Sequence, residues 1–264
     1  MCSQEHQIFL KKLKRKNRRV KFTQIIILVL FLFIWQLAAS LGLINTFISS
    51  SPKDVLETIL GLIKGGELWY HVWVTTYETI ISFLLGTFLG FLIATILWWF
   101  PFLAKVLDPY LTILNSLPKV ALGPIIIIWA GAGKGSIILM ALFISVIITI
   151  INVYQSFVET DIHKIKLLES WKATKWQIYT KLIMPSSLQT MVNALKINVS
   201  MSLIGIIMGE FLVSKEGIGY LIMYGSQVFN LDLVMSGVII LGVVATVMYY
   251  VVNFIEKRCI KNKI

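Results

Sequence analysis

The side chains in this sequence that could do chemistry are polar groups embedded in long apolar runs. They are Asn115, Ser116 and Lys119 in one run, Asn152 at the end of another, and Asn193, Lys196, Asn198, Ser200, Ser202 and Glu210 in a third. A polar group costs free energy in hydrocarbon, so each is a candidate for holding or passing a solute. Asn193, Lys196 and Ser200 recur at i, i+3, i+7. That spacing puts them on one helix face, which must meet a partner helix or water. Lys119 and Lys196 each lie about two helical turns from a span end. Each either snorkels to the interface or lines a polar path.

Bond-making chemistry has little support. There is no H-E-x-x-H and no G-x-S-x-G, and His6, His71 and His163 are scattered between the apolar runs. Gly131-Ala132-Gly133-Lys134-Gly135-Ser136 superficially matches a phosphate loop. A phosphate loop, however, needs Lys immediately before Ser or Thr and a strand in front, so the tract reads as a tight turn. Cys2 and Cys259 provide neither a disulfide framework nor a metal cluster.

The elements that position these groups are membrane spans. Of 264 residues, 57% are hydrophobic and 14% charged, with mean hydropathy +0.83. Soluble domains carry roughly 45–50% apolar and about 25% charged residues, so a water-soluble domain is excluded. Apolar runs at 23–44, 79–100, 111–131, 136–154, 188–212 and 233–254 predict six helices. The third contains Pro118, Gly123 and Pro124, and is predicted to be kinked and packed inside. The second carries Gly86, Gly90 and Ala94 at four-residue intervals, a close-packing surface. The first run exceeds the roughly 7–15 apolar residues of a signal peptide and reads as a retained anchor.

Charge sets the orientation. Eighteen of the 24 Lys and Arg fall in residues 1–22, the 101–110 loop, the 155–187 loop and the tail; the alternate segments hold Lys53, Lys64, Lys134 and Lys215. Lys and Arg resist translocation, which places both termini in the cytoplasm. The net charge of +11 is therefore a topology signal and a means of adhering to anionic lipid, with no nucleic-acid partner implied. The chain divides into a basic cytoplasmic segment 1–22, a first span 23–44, an extracytoplasmic segment 45–78, a transmembrane core 79–254 and a basic cytoplasmic tail 255–264.

Two connecting segments have helical periodicity. Residues 53–64 place Val55, Ile59 and Ile63 opposite Asp54, Glu57 and Lys64, behind Pro52 at a helix start. They predict a short amphipathic helix on the outer membrane surface, either covering the bundle or acting in gating. In the 155–187 loop, Ile165, Leu168 and Trp171 precede a break near Ala173-Thr174, and Trp176 and Tyr179 follow it. Pro185 ends the second piece or opens the next span. This Lys- and aromatic-rich knob either lies on lipid headgroups or docks a cytoplasmic partner.

With these pieces placed, the chain resembles permease subunits of ATP-binding-cassette importers, in the nitrate, sulfonate and taurine branch. The resemblance covers about residues 49–250. It rests on Ser51-Pro52-Lys53-Asp54-Val55 and Gly66-Glu67-Leu68-Trp69-Tyr70-His71, and on Pro118 to Pro124 followed by Trp129, Gly131 and Gly133. The stretch from Glu210 through Gly217-Ile218-Gly219-Tyr220-Leu221 completes it. The superfamily's cytoplasmic loop pattern E-A-A-x-x-x-G is departed from, with Lys172 at the glycine position and Pro185 on the pattern's proline. A left-handed turn there would cost Lys172 about 1–2 kcal/mol.

The resemblance implies an all-α integral membrane protein with six transmembrane helices and the type I ABC importer permease fold. It implies a transport subunit that is not itself an enzyme, with a second permease copy, a cytoplasmic ATPase and an extracytoplasmic solute-binding protein as partners in the lipid bilayer. No cofactor is expected on this chain, with ATP on the partner ATPase. Glu169, Trp171, Lys172, Ala173, Thr174, Lys175, Trp176, Gln177 and Pro185 would form the ATPase-coupling loop. Asn115, Ser116, Lys119, Asn193, Lys196, Ser200 and Glu210 are the candidate translocation path. The implied solute is a small anion of the sulfonate, taurine or nitrate type, with a thiamine-precursor-like solute as an alternative. An ATP-independent secondary transporter or channel would be favoured by inverted repeats, and no convincing internal repeat relates the two halves.

Overall fold

The computed structural model describes residues 4–261; Cys2 and Lys263 lie outside the described residues. The basic N-terminal segment and the first span form one helix, α1 (Gln4–Ser40). On the outer side follow α2 (Thr46–Ser49) and α3 (Pro52–Lys64), then the long α4 (Glu67–Trp99). Next come α5 (Pro101–Ser116), a short 3-10 turn (Lys119–Leu122), α6 (Gly123–Ala130) and α7 (Lys134–Val158). The cytoplasmic loop contributes α8 (Ile162–Ser170) and α9 (Lys175–Ile178), and the chain ends with α10 (Met184–Val213), α11 (Ile218–Gln227) and α12 (Leu231–Lys261). Among the described residues, five helices are long and apolar enough to cross a membrane, and there are six if the bent pair of α5 with 119–130 is counted as one span.

Helices α4, α7 and α10 pack side by side as the core. The small-residue stripe of α4 lies against α7: a Cβ on Gly86 would meet Ser145, and one on Gly90 would meet Thr149. On α10, Gly205 sits so close that a Cβ would lie 2.5 Å from the Ala141 Cα of α7. Three helices thus approach nearly backbone to backbone, which is how apolar helices gain contact energy where lipid is as apolar as they are. By contrast, the apolar part of α1 stands outside this core, with none of its residues buried and most exposed. It touches α3, where the Gln36 Oε1 accepts the Lys53 N–H at 3.1 Å.

Two spans differ from the sequence reading. The second begins at Glu67, not Thr79. Glu67, His71, Thr75, Thr76 and Glu78 lower the local hydropathy, yet Thr75, Glu78 and Thr79 are fully buried against neighbouring helices. At 1.5 Å per residue, 33 residues span about 50 Å, well beyond a hydrocarbon core of about 30 Å. The third span is not one kinked helix packed inside. Its two parts meet at 91°, because Pro118 holds Leu117 in extended backbone and Pro124 opens α6. Its side chains are largely exposed, including Leu117, Val120, Ile125, Ile128 and Trp129.

The amphipathic outer segment is helical from Pro52 to Lys64, with Ser51 as its N-cap accepting the Asp54 N–H. It covers the bundle: Val55 is buried and its carbonyl accepts the Ser236 hydroxyl of α12 at 3.2 Å. Pro185 lies in the first turn of α10 and so opens that span.

Packing this close makes a sharp contrast between two glycines. Gly205→Ala should destabilise the chain by about 1–3 kcal/mol through overpacking. Gly61→Ala on α3, with open space around it, should be neutral or stabilise by up to about 1 kcal/mol. Thermal unfolding of the detergent-solubilised variants reads both; equal midpoints would contradict this packing.

Candidate functional site

The outer end is organised by Glu210. Its carboxylate accepts the Thr75 hydroxyl of α4 at 2.7 Å and the Gly219 N–H of α11 at 2.6 Å. The Thr75 oxygen also accepts the Ile218 N–H at 2.8 Å, and the Gly217 N–H donates to the His71 Nδ1 at 3.0 Å. Three successive amides at the start of α11, which have no partner within their own helix, are thus satisfied by side chains of α4 and α10. The glycines make this possible. Gly217 has φ +98°, and a Cβ on either Gly217 or Gly219 would run into the Glu210 carboxyl. The Glu210…Gly217-Ile218-Gly219 spacing read in the sequence is therefore a helix-capping device. Outside it, the Lys134 ammonium lies 2.9 Å from Glu216. This ammonium, with the Tyr70 hydroxyl, holds the Glu216 carboxyl below the usual carboxylate range.

The inner end carries the α8–α9 knob. Asp161 caps α8 by accepting the His163 N–H at 2.9 Å. The helix closes with the Ala173 N–H on the Leu168 carbonyl (3.0 Å) and the Lys172 N–H on the Glu169 carbonyl (2.8 Å). That pair of bonds is a Schellman ending, which needs a left-handed residue between, and Lys172 has φ +57°. The left-handed turn is therefore kept without its glycine. Thr174 and Gln177 then start α9 as a capping box: the Thr174 Oγ1 accepts the Gln177 N–H, and the Gln177 Oε1 accepts the Thr174 N–H at 2.8 Å.

Lys175 ties the knob to the core. Its ammonium donates to the Trp99 carbonyl at the last turn of α4, where the helix end attracts a cation. It also lies 5.4 Å and 5.2 Å from the ring centres of Trp98 and Trp99. Tyr179 is buried among Trp98, Trp99, Phe157 and Trp176, and its hydroxyl is 2.8 Å from that of Thr95. A π-helical turn at Tyr179–Ile183 joins α9 to α10. With Ile178, Tyr179 and Ile183 packed inward, Glu169, Trp171 and Trp176 are left outward; the two tryptophans are 71% and 61% exposed.

The remaining candidates separate by burial. Asn115, Ser116, Asn193 and Ser200 are exposed, and Lys119 and Lys196 are half-buried. Lys119 caps the end of α5, its ammonium donating to the Asn115 carbonyl at 2.7 Å and to the Asn115 Oδ1 at 3.2 Å. Glu210 does not share the exposed face of α10, being fully buried in the outer hub. Asn198 is also buried, its Nδ2 donating to the Thr87 hydroxyl at 2.8 Å. The sequence reading missed Thr75, His71, Glu78, Thr95 and Trp99 as partners. Thr75 and Glu78, three apart in an otherwise apolar helix, were the available signal.

Residues 86–261 match the family described as binding-protein-dependent transport system inner membrane component. A probable ABC transporter permease protein of Haemophilus influenzae is 28% identical over 236 residues, 89% of this chain and 96% of that protein. A putative aliphatic sulfonates transport permease protein of Bacillus subtilis is 29% identical over 231 residues, covering 86% and 83%. The fold is similar to that of a bacterial ABC transporter involved in the import of the acidic polysaccharide alginate. The TM-score is 0.63 at 15% identity, over 95% of this chain and 98% of that one.

Two substitutions test the capping devices, both by thermal unfolding in detergent. Lys172→Gly should raise stability by up to about 1 kcal/mol, since the left-handed cost of about 1–2 kcal/mol exceeds glycine's added chain entropy. Glu210→Ala should cost more than Glu210→Gln, because it strands two buried donors at about 1–3 kcal/mol each. If alanine and glutamine cost the same, Glu210 is not the hub.

Proposed function

Because the chain belongs to the family of binding-protein-dependent transport system inner membrane components, we propose that it works as one of two permease copies around a shared solute path. The α8–α9 knob seats in a separate cytoplasmic ATPase, and the outer ends receive solute from a binding protein. The observation that carries this reading is the construction of the knob. It is fastened to α4 through Lys175 and Tyr179 and continuous with α10, while Trp171 and Trp176 point outward. An element so built transmits displacement into the core instead of absorbing it. When the ATPases close on ATP, each knob carries α4, α7 and α10 with it, and the copies rock between inward- and outward-facing arrangements.

The exposed polar face of α10 (Asn193, Lys196, Ser200) with Asn115, Ser116 and Lys119 near the bend lines the path between copies. Glu210 serves this path as the clamp that keeps α11 on the core. The similarity to a sulfonate permease supports a small organic anion as solute, and two half-buried lysines suit that charge. ATP is bound and hydrolysed on the partner, and no cofactor resides on this chain.

Pull-down of the detergent-solubilised chain tests the reading. An ATPase should co-purify, and Trp171→Ala or Trp176→Ala should weaken its capture at least about tenfold, as for buried aromatic anchors. A lone homo-oligomer that transports solute without responding to ATP would contradict it.

A further inference from the structure

Glu78 lies on α4 one turn inward of Thr75 and is fully buried, yet neither carboxylate oxygen has a hydrogen-bond partner among the described residues. Glu210, its neighbour in the outer hub, is fully partnered. Glu78 also forms part of the wall of a cavity of about 230 Å³, with Tyr70, Trp73, Val74, Tyr77 and Lys134 as the other walls. Tyr70, Trp73 and Tyr77 follow helical spacing along one face of α4. The Trp73 and Tyr77 rings stack with centres 6.3 Å apart.

The chemistry of the walls selects a ligand class. Lys134 is already paired with Glu216 at 2.9 Å, which leaves Glu78 as the charged side chain of the wall without a hydrogen-bond partner among the described residues. A carboxylate held from water without a partner is costly, and inside a membrane protein such a group marks a ligand or ion site. An anion is repelled there. A divalent metal wants about six or more oxygen ligands, and the cavity wall offers one carboxylate. A substituted ammonium suits the aromatic walls and Glu78, because aromatic faces attract cations and a carboxylate accepts N–H bonds, while Glu216 offsets the charge of Lys134. At about 30 Å³ per water molecule, the cavity holds a small amine with its residual hydration.

We propose that this outer cavity, walled by Tyr70, Trp73 and Tyr77 and closed by Glu78, binds an ammonium group, carried either by a small soluble amine or by the headgroup of an aminophospholipid. The site stands whichever solute the permease carries, and it lies at the opposite end of α4 from the ATPase-facing knob.

The test uses the full chain in nanodiscs, with Glu78→Gln to remove the charge at constant shape. Trp73→Leu serves as a second variant at an exposed position where folding is not at risk. In phosphatidylglycerol-only discs, saturation-transfer NMR with ethanolamine should show saturable binding, weakened at least about tenfold in both variants, a loss of about 1.4 kcal/mol. In mixed discs, native mass spectrometry should show phosphatidylethanolamine retained by the parent chain and lost from Glu78→Gln if the lipid is the source. Either result supports the site and identifies the carrier. Absence of both, or binding unchanged in Glu78→Gln, overturns it. ATPase capture by Glu78→Gln should equal that of the parent chain, which keeps this proposal separable from the transport reading.

Discussion

Hydrocarbon cannot hydrogen-bond a peptide group, and that constraint shapes the helix ends that hold this fold together. Three helix ends at the bundle are closed by side chains. Lys175 reaches the Trp99 carbonyl at the end of α4, and Lys119 reaches the Asn115 carbonyl at the end of α5. Glu210, Thr75 and His71 take the three amides that begin α11. Two of these closures tie together elements far apart in sequence, so satisfying the backbone and assembling the core are the same event. The permease is consequently stiff along α4, with the outer hub at one end and the cytoplasmic knob at the other.

The coupling role proposed for the knob relies on that stiffness. A loop lying on lipid headgroups would need neither a left-handed Lys172 nor a lysine spent on a remote helix end. Here the Schellman ending, the capping box and the Tyr179 cluster fix α8 and α9 relative to the core. The exposed polar face of α10 lies on the same helix that the knob feeds through the π-helical turn. Force applied at Trp171 and Trp176 thus has a short, packed route to the residues proposed to line the solute path.

Much of this was legible in the sequence, and the exceptions share a cause. The spans at 136–154 and 188–212, the small-residue stripe of α4 and the two-piece knob follow from periodicity, because local spacing determines which face a residue occupies. The outer third of α4 was not legible. Glu67, His71, Thr75 and Glu78 look like loop residues until α10 and α11 are packed against them. The third span read as one helix kinked at its prolines, whereas the backbone turns by 91° there, because the angle depends on packing that the prolines alone do not set. Glu210 was picked out as polar and costly, but its role depends on Thr75, 135 positions away, and no spacing rule reaches that far.

The central claim is that the knob and α4 move as one body when the transporter works. Spin labels at Phe88→Cys, an exposed position on α4, and Lys164→Cys on α8, in a chain with Cys2 and Cys259 replaced, measure it in assembled transporters carrying one doubly labelled copy. The distance between the two labels should stay the same with and without ATP, while the distance between single Lys164→Cys labels on the two copies changes. An intrachain change as large as the change between copies would contradict the claim.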